Sequence, residues 1–244
     1  MPLKVSQSVF DGLRICARFA FKPNALNYCG PDKNKQLFSY LEVGEADNGL
    51  RHILAEFEVM YPYLKLIALA NKISDPFDYQ VVQAYWLGNH LLNKVKNKEL
   101  VNFLGEKIQL KKKLNKKIWQ KLAPQAFGQG IAHHNWHVLG VTKRSAHLVI
   151  DHTLDSMNNC MIKVGEVVGG EDDYWLIKTN QLRYEKNRLN LSSPSLVQVS
   201  RSELVKNLRP GDLTALHWGE VVVKISPEQA KNLNSWTNLI LANL

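Results

Sequence analysis

The sequence predicts an α+β protein, with a mainly helical domain of unknown role over residues 1–154 and a small β-barrel with a C-terminal helix over residues 155–244. Apolar residues in the first part recur every three or four positions, as in amphipathic helices. The second part contains short stretches of β-type sequence at intervals of roughly 8 to 14 residues, the spacing of a small barrel. A polar joint at residues 155–159 separates the two patterns.

Composition narrows the class of protein. The chain has 244 residues, of which 45% are hydrophobic and 22% charged, as in ordinary globular proteins. It contains no apolar run near the roughly 20 residues that span a bilayer, and its N-terminus has no apolar core of a secretory signal. We therefore expect a cytoplasmic protein with no membrane partner. The cysteines Cys16, Cys29 and Cys160 are odd in number and widely spaced, so they predict reduced thiols without a disulfide framework.

The first helix is predicted over residues 6–21, where apolar residues at helical spacing place Cys16 in the core. Two prolines and a glycine in residues 22–31 then predict a loop that holds Cys29. A cysteine on such a loop is a candidate ligand or reactive thiol, and the alternative is structural packing.

Further helices are predicted between residues 38 and 70. Ser74, Asp75 and Pro76 predict the cap and first turn of the next helix, whose apolar face extends to Val95. A last helix is predicted over residues 99–122. It contains many of the lysines that give the chain its net charge of +9. Lysines without arginines or interleaved aromatics favour a solvated surface, so nucleic acid is an unlikely partner. The lysines of this patch are Lys107, Lys111, Lys112, Lys113, Lys116, Lys117 and Lys121.

Three histidines, His133, His134 and His137, lie within five positions. Positions 133 and 137 share a face in a helix and also in a strand, so two imidazoles could converge on one zinc or iron ion in either conformation. His134 would need a turn to join them. The alternative is structural hydrogen bonding around Trp136. The segment has no HExxH pattern, so the glutamate base of a metalloprotease is missing.

Strands are expected to begin just before the polar joint, at residues 138–141 and 147–150, and Cys160 is expected at the entrance to the first strand after it. A turn at residues 169–173 follows this strand. Ser226, Pro227 and Gln229 form a capping-box pattern that begins a C-terminal helix. The strands after the joint are predicted at residues 162–168, 175–178, 182–187 and 196–199 and within 213–225.

Two motifs resemble those of a known family. Cys160 is followed five residues later by Gly165 and then, after one residue, by Val167. Near the end, Gly211 and Asp212 precede His217 and Gly219 at the spacing of the pattern V-x-x-G-D-Y-V-x-V-H-x-G. With these motifs, residues 160–244 resemble the HypC/HupF family of [NiFe]-hydrogenase maturation chaperones. Features of the N-terminal half, such as residues 28–31 and 85–89, look like those of an uncharacterised bacterial family associated with hydrogenase gene clusters.

The resemblance implies an OB-like barrel with a C-terminal helix, in which the cysteine thiolate and the histidine hold the iron that becomes Fe(CN)2CO. Carried over to this chain, these residues are Cys160 and His217. It also implies a partner, either a hydrogenase maturation protein or the immature large subunit. Two alternatives remain open at this stage. One is a metalloenzyme whose site is His133, His134 and His137, with Cys29 or Cys160 as fourth ligand or nucleophile, and the other is an OB-type nucleic-acid-binding protein.

Overall fold

The computed structural model describes residues 6–106, 120, 130–142, 153–202 and 204–244. The chain divides into two compact units, Met1–His133 and His134–Leu244. This division precedes the predicted boundary after residue 154, and Asn135, just after it, bonds to Ile162 before the first strand and to Thr237 of the C-terminal helix. The predicted strand at 147–150 and the lysine patch lie outside the described residues.

The first unit is helical. Its described part contains α1 (Gln7–Ala25), α2 (Asn34–Val43), α3 (Asn48–Ala55), α4 (Met60–Asn71), α5 (Tyr79–Trp86), a 3-10 turn (His90–Lys94) and α6 (Asn97–Glu106). Within the described ranges, no helix of the chain is long and apolar enough to cross a membrane.

Helix α1 confirms the predicted apolar face and buries Leu13 and Cys16 completely. The Ser6 hydroxyl caps the helix by accepting a hydrogen bond from the Val9 amide at 3.4 Å. The helix continues through Pro23 to Ala25, beyond the predicted end at residue 21. A proline near the end of a helix removes one backbone donor, and here the turn still closes through the Leu26 amide on the Lys22 carbonyl at 3.1 Å.

Both ends of α5 differ from the prediction. Asp78 is the N-cap, and the Asp75 carboxylate instead accepts from the Phe77 amide at 2.9 Å and from the Arg51 guanidinium at 3.0 and 2.6 Å, before the helix begins. The helix ends at Trp86 because Gly88 adopts a φ of 78°, a left-handed conformation that glycine adopts without strain. Asn89 then caps the separate 3-10 turn by accepting from the Leu91 amide at 2.9 Å.

The second unit is built on an antiparallel sheet with the strand order β5-β2-β1-β6-β7, beside a β3–β4 hairpin. The predicted strands are confirmed with shifted ends, but strand β4 and two turns were missed. Lys186 and Asn187 both have positive φ and end the third predicted strand in a turn, after which β4 completes a hairpin. Trp218 and Gly219 also have positive φ and form the turn that divides the last predicted strand into β6 and β7. The strands are β1 (Lys163–Glu171), β2 (Tyr174–Thr179), β3 (Leu182–Glu185), β4 (Arg188–Leu191), β5 (Ser195–Ser200), β6 (Leu213–His217) and β7 (Glu220–Lys224).

Among the described residues the larger sheet is open, with β5 and β7 at its two edges. Closure into a barrel stays a prediction. One face of the sheet carries the core of this unit, which includes Val167, Trp175, Ile177, Val199, Val205, Leu208, Leu216 and Val221.

Two predictions around the polar joint are wrong. The expected strand at 138–141 is a π-helical segment, His137–Thr142, which follows the single helical turn α7 (His134–Trp136). The joint itself is helix α8 (Leu154–Cys160), which begins where the Thr153 hydroxyl accepts from the Ser156 amide at 3.1 Å. Cys160 therefore ends a helix, and β1 begins three residues later.

The C-terminal helix α9 (Pro227–Ala242) confirms its predicted start. The Ser226 hydroxyl accepts from the Gln229 amide at 3.1 Å, and the Gln229 side chain accepts from the Ser226 amide at 2.8 Å. Its buried residues include Ala230, Leu233 and Ile240, so this apolar face packs inside the second unit.

Candidate metal centre

Three potential metal ligands from different elements of the second unit converge at one point. His134 begins α7, Cys160 ends α8 and His217 ends β6. One ligand atom from each residue lies within 4.8 Å of the others. The two residues singled out by the family resemblance, Cys160 and His217, are thus close in space, and His134 joins them as a third.

The end of α8 is attached to the hairpin that holds His217. The Trp218 amide donates to the Asn159 carbonyl at 2.7 Å, so the last turn of the helix meets the β6–β7 turn next to both ligands. His217 is 1% exposed and pairs with Glu220 across the hairpin. The antiparallel ladder therefore fixes the backbone that carries this imidazole.

Asn135 fixes the position of the neighbouring His134. Its side-chain amide nitrogen donates to the Ile162 carbonyl at 2.9 Å, and its amide oxygen accepts from the Ile162 amide at 2.7 Å. The same nitrogen donates to the Thr237 hydroxyl at 2.8 Å. Asn135 is fully buried. Asn135 therefore pairs with the backbone N–H and C=O of Ile162 as a neighbouring strand would. The sequence analysis missed this role because no local pattern around an isolated asparagine predicts such a pairing.

The His134 ring contacts both other ligands. Its Nε2 donates to the Cys160 carbonyl at 2.9 Å and lies 3.9 Å from the Cys160 Sγ. Its ring centroid is 5.2 Å from that of His217, with the ring planes at 83°. Because a carbonyl oxygen accepts and never donates, Nε2 carries the proton in this arrangement. Burial lowers the pKa of His134 to about 4, so the ring is neutral at pH 7.

The donor set is one thiolate and two imidazoles, which suits zinc or iron. Around a tetrahedral ion with bond lengths of 2.0 to 2.3 Å, ligand atoms lie roughly 3.3 to 3.8 Å apart. The ligand atoms, which lie within 4.8 Å of one another, would have to approach by about 1 Å to meet this geometry. With the three protein ligands found among the described residues, a tetrahedral ion has a fourth position for water or an external ligand.

Accessibility differs among the three residues. His134 is 8% exposed and His217 is 1% exposed, whereas Cys160 is only half-buried. In the resembled family the cysteine lies next to the N-terminus, and in this chain it follows 159 residues. Cys160 is therefore the most exposed of the three residues.

The other residues proposed from the sequence are not members of this group. His133 is fully buried at the end of the first unit, and His137 is 8% exposed at the start of the π-helical segment. Cys29 lies on an exposed loop of the first unit. Of His133, His134 and His137, only His134 belongs to the group whose ligand atoms lie within 4.8 Å of one another, together with Cys160 and His217.

Asn158 and Lys163, which flank Cys160 in the sequence, belong to a network of polar side chains. The Lys163 ammonium donates to the side-chain oxygens of Asn158 and Gln181, each at 3.1 Å. Burial lowers the pKa of Lys163 to about 8. Asn158 also accepts from the Leu182 amide at 2.8 Å, so the network ties α8, which ends in Cys160, to β1 and β3.

Comparison with known proteins identifies a family for almost the whole chain. The model of one family, described as a family of unknown function (DUF6390), matches residues 8–244. Neither the curated proteins nor the solved structures contain a match to the chain.

Proposed function

We propose that this chain, which belongs to the DUF6390 family of unknown function, is a metal-binding accessory protein of [NiFe]-hydrogenase maturation. The observation that carries the proposal is the convergence of His134, Cys160 and His217, whose ligand atoms lie within 4.8 Å of one another. The motifs that contain Cys160 and His217 also resemble the HypC/HupF chaperones. The metal is iron, held for an Fe(CN)2CO group, with zinc as the alternative.

The donor set favours a carrier over a purely structural site. Structural zinc sites use four protein ligands, whereas the described part of the chain supplies three here and leaves a position for an external ligand. A soft thiolate on the half-buried Cys160 is also the ligand that a partner protein could reach. These features suit an ion that must be accepted and passed on.

An OB-like barrel is part of the same proposal. The edge strands β5 and β7 have Cα atoms within 8 Å of each other although they are not paired, so the sheet curls toward closure. The metalloenzyme alternative receives less support. It required His133 and His137 in one site, and the geometry selects His134 with residues of two other elements.

Metal analysis of anaerobically purified protein tests the centre. We expect the wild type to retain iron, or zinc when iron is withheld, at close to one ion per chain. Cys160→Ser, His217→Gln and His134→Gln should each weaken binding by at least about tenfold, because each removes one of three ligands. Cys29→Ser and His90→Gln are the matched controls, since both residues are exposed and lie in the first unit.

Equal metal content in the site variants and the controls would refute the centre. The role in maturation needs a second experiment, in which the tagged chain is co-expressed anaerobically with hydrogenase maturation proteins and the immature large subunit. Recovery of one of these proteins with the chain, and of iron with the wild type but not with Cys160→Ser, is the expected result. A chain that carries metal but never recovers a hydrogenase component would retain the centre and lose the proposed pathway.

A further inference from the structure

The turn between β6 and β7 holds a tryptophan in a backbone conformation that bulky side chains disfavour. Trp218 has a φ of 51°, in the left-handed region. This region is unfavourable for a residue with a Cβ, because the Cβ comes too close to the following carbonyl oxygen. Strain of this kind persists only where the surrounding structure compensates for it, and it is concentrated at functional sites.

The geometry of the turn does not itself require a tryptophan. The β3–β4 hairpin also closes through two residues with positive φ, Lys186 at 50° and Asn187 at 62°. Lys186 therefore occupies the position that corresponds to Trp218, with nearly the same φ. Turns of this type favour asparagine, aspartate and glycine. A bulky aromatic residue at position 218 thus has its reason in the side chain and in what that side chain adjoins.

The indole of Trp218 lies beside the candidate metal centre. Its ring centroid is 6.5 Å from the ring centroid of the ligand His217, with the ring planes at 57°. The Trp218 amide donates to the carbonyl of Asn159, the residue before the ligand Cys160, at 2.7 Å. Trp218 is half-buried, and a Cβ added at the next residue, Gly219, would meet none of the described residues within 4 Å. The turn therefore borders the centre on one side and open space on the other.

We propose that the Trp218 indole forms a wall of the coordination position that the three described ligands leave open, and that it limits the access of external ligands to the ion. The inference rests on the metal centre proposed above. An indole has a large apolar face and a single N–H donor, so it can exclude an incoming ligand without binding the ion itself. Exchange of the ion then requires the indole to move, and this movement sets the rate of exchange.

Transfer of zinc from the full chain, loaded with Zn²⁺, to the chelator 4-(2-pyridylazo)resorcinol tests this wall. For the wild type, the transfer rate should level off as the chelator concentration rises, because the movement of Trp218 becomes limiting. For Trp218→Gly, the rate should keep rising with chelator concentration and exceed the wild-type rate by about tenfold or more. Its dissociation constant for zinc should stay within about threefold of the wild type, because no ligand is lost and association and release are both faster.

Lys186→Gly is the matched control, because it makes the same backbone change at a φ of 50° in the other hairpin and should leave the transfer rate unchanged. Trp218→Phe keeps an aromatic ring, so its rate should lie between those of the wild type and Trp218→Gly.

The proposal is overturned if Trp218→Gly transfers zinc at the wild-type rate, or if its dissociation constant rises in proportion to a faster release, as lost packing would cause. These outcomes leave the centre intact when Cys160→Ser still abolishes zinc binding. A wild type that binds no zinc refutes the centre and this inference with it.

Discussion

Asn135 is predicted to be the residue on which the position of His134 depends. The variant Asn135→Leu keeps the branching and the number of non-hydrogen atoms but removes the amide that bonds the Ile162 carbonyl, the Ile162 amide and the Thr237 hydroxyl. Ile162 is fully buried, so its N–H and C=O would lose partners where water cannot replace them. At about 1 to 3 kcal/mol for each unsatisfied group, we expect a loss of roughly 3 to 5 kcal/mol in the free energy of unfolding of the second unit.

Urea denaturation measures this loss, and hydrogen exchange localises it. The Ile162 amide should exchange much faster in Asn135→Leu, because its donor bond is to the Asn135 side chain. Thr237→Val is the matched control, since it removes one of the three bonds and should cost about 1 kcal/mol. Metal affinity should fall with Asn135→Leu even under conditions where the variant is folded. An unfolding free energy within about 1 kcal/mol of the wild type, with unchanged exchange at Ile162, would refute the reasoning.

The remaining predictions concern pH, packing and capping. The pKa of His134 is lowered in the folded state, so the unfolded chain binds the extra proton, and stability should fall by up to about 3 kcal/mol from pH 6.5 to 4. Denaturation across this range should show a smaller fall in His134→Gln. Gly165→Val should cost about 1 to 3 kcal/mol, because its Cβ would lie 2.5 Å from the Ile177 side chain, whereas Gly169→Val should be near neutral in the same thermal melts. Ser226→Ala should cost about 1 kcal/mol by breaking the cap of α9, and equal stability would contradict that role.

Local signals in the sequence predicted the elements whose ends depend on local contacts. The cap at Ser226 and the buried face of α1 require residues only a few positions apart. The start of α5 could not be predicted in the same way. Asp75 looks like the cap of this helix in sequence, but Asp78 is its N-cap, and the Asp75 carboxylate accepts from the nearby Phe77 amide and from Arg51, 24 residues away. A contact at that separation leaves no local pattern in the sequence.

The candidate centre, too, was predicted in part from local motifs and depends in part on tertiary structure. The motifs around Cys160 and His217 pointed to these two residues, and the structure places them together. Among the three neighbouring histidines, the sequence pattern paired His133 with His137 and did not favour His134. The selection of His134 depends on the turn at α7 and on Asn135, whose partners lie 27 and 102 residues away. Periodicity describes which residues share a face of one element, and it cannot describe a ligand set drawn from three elements.

The position of Cys160 at the end of a helix has a chemical consequence for the proposed centre. Its carbonyl accepts from His134 Nε2, the nitrogen that also lies nearest its own thiol. If His134 ligates through Nε2, the proton on that nitrogen must move to Nδ1 and the hydrogen bond to the Cys160 carbonyl must break, because the Nε2 lone pair then binds the metal. Binding at this residue therefore costs a hydrogen bond of about 1 kcal/mol, and release restores it. An exchange of this kind lowers affinity and favours transfer of the ion, which is what a carrier requires and a structural site does not.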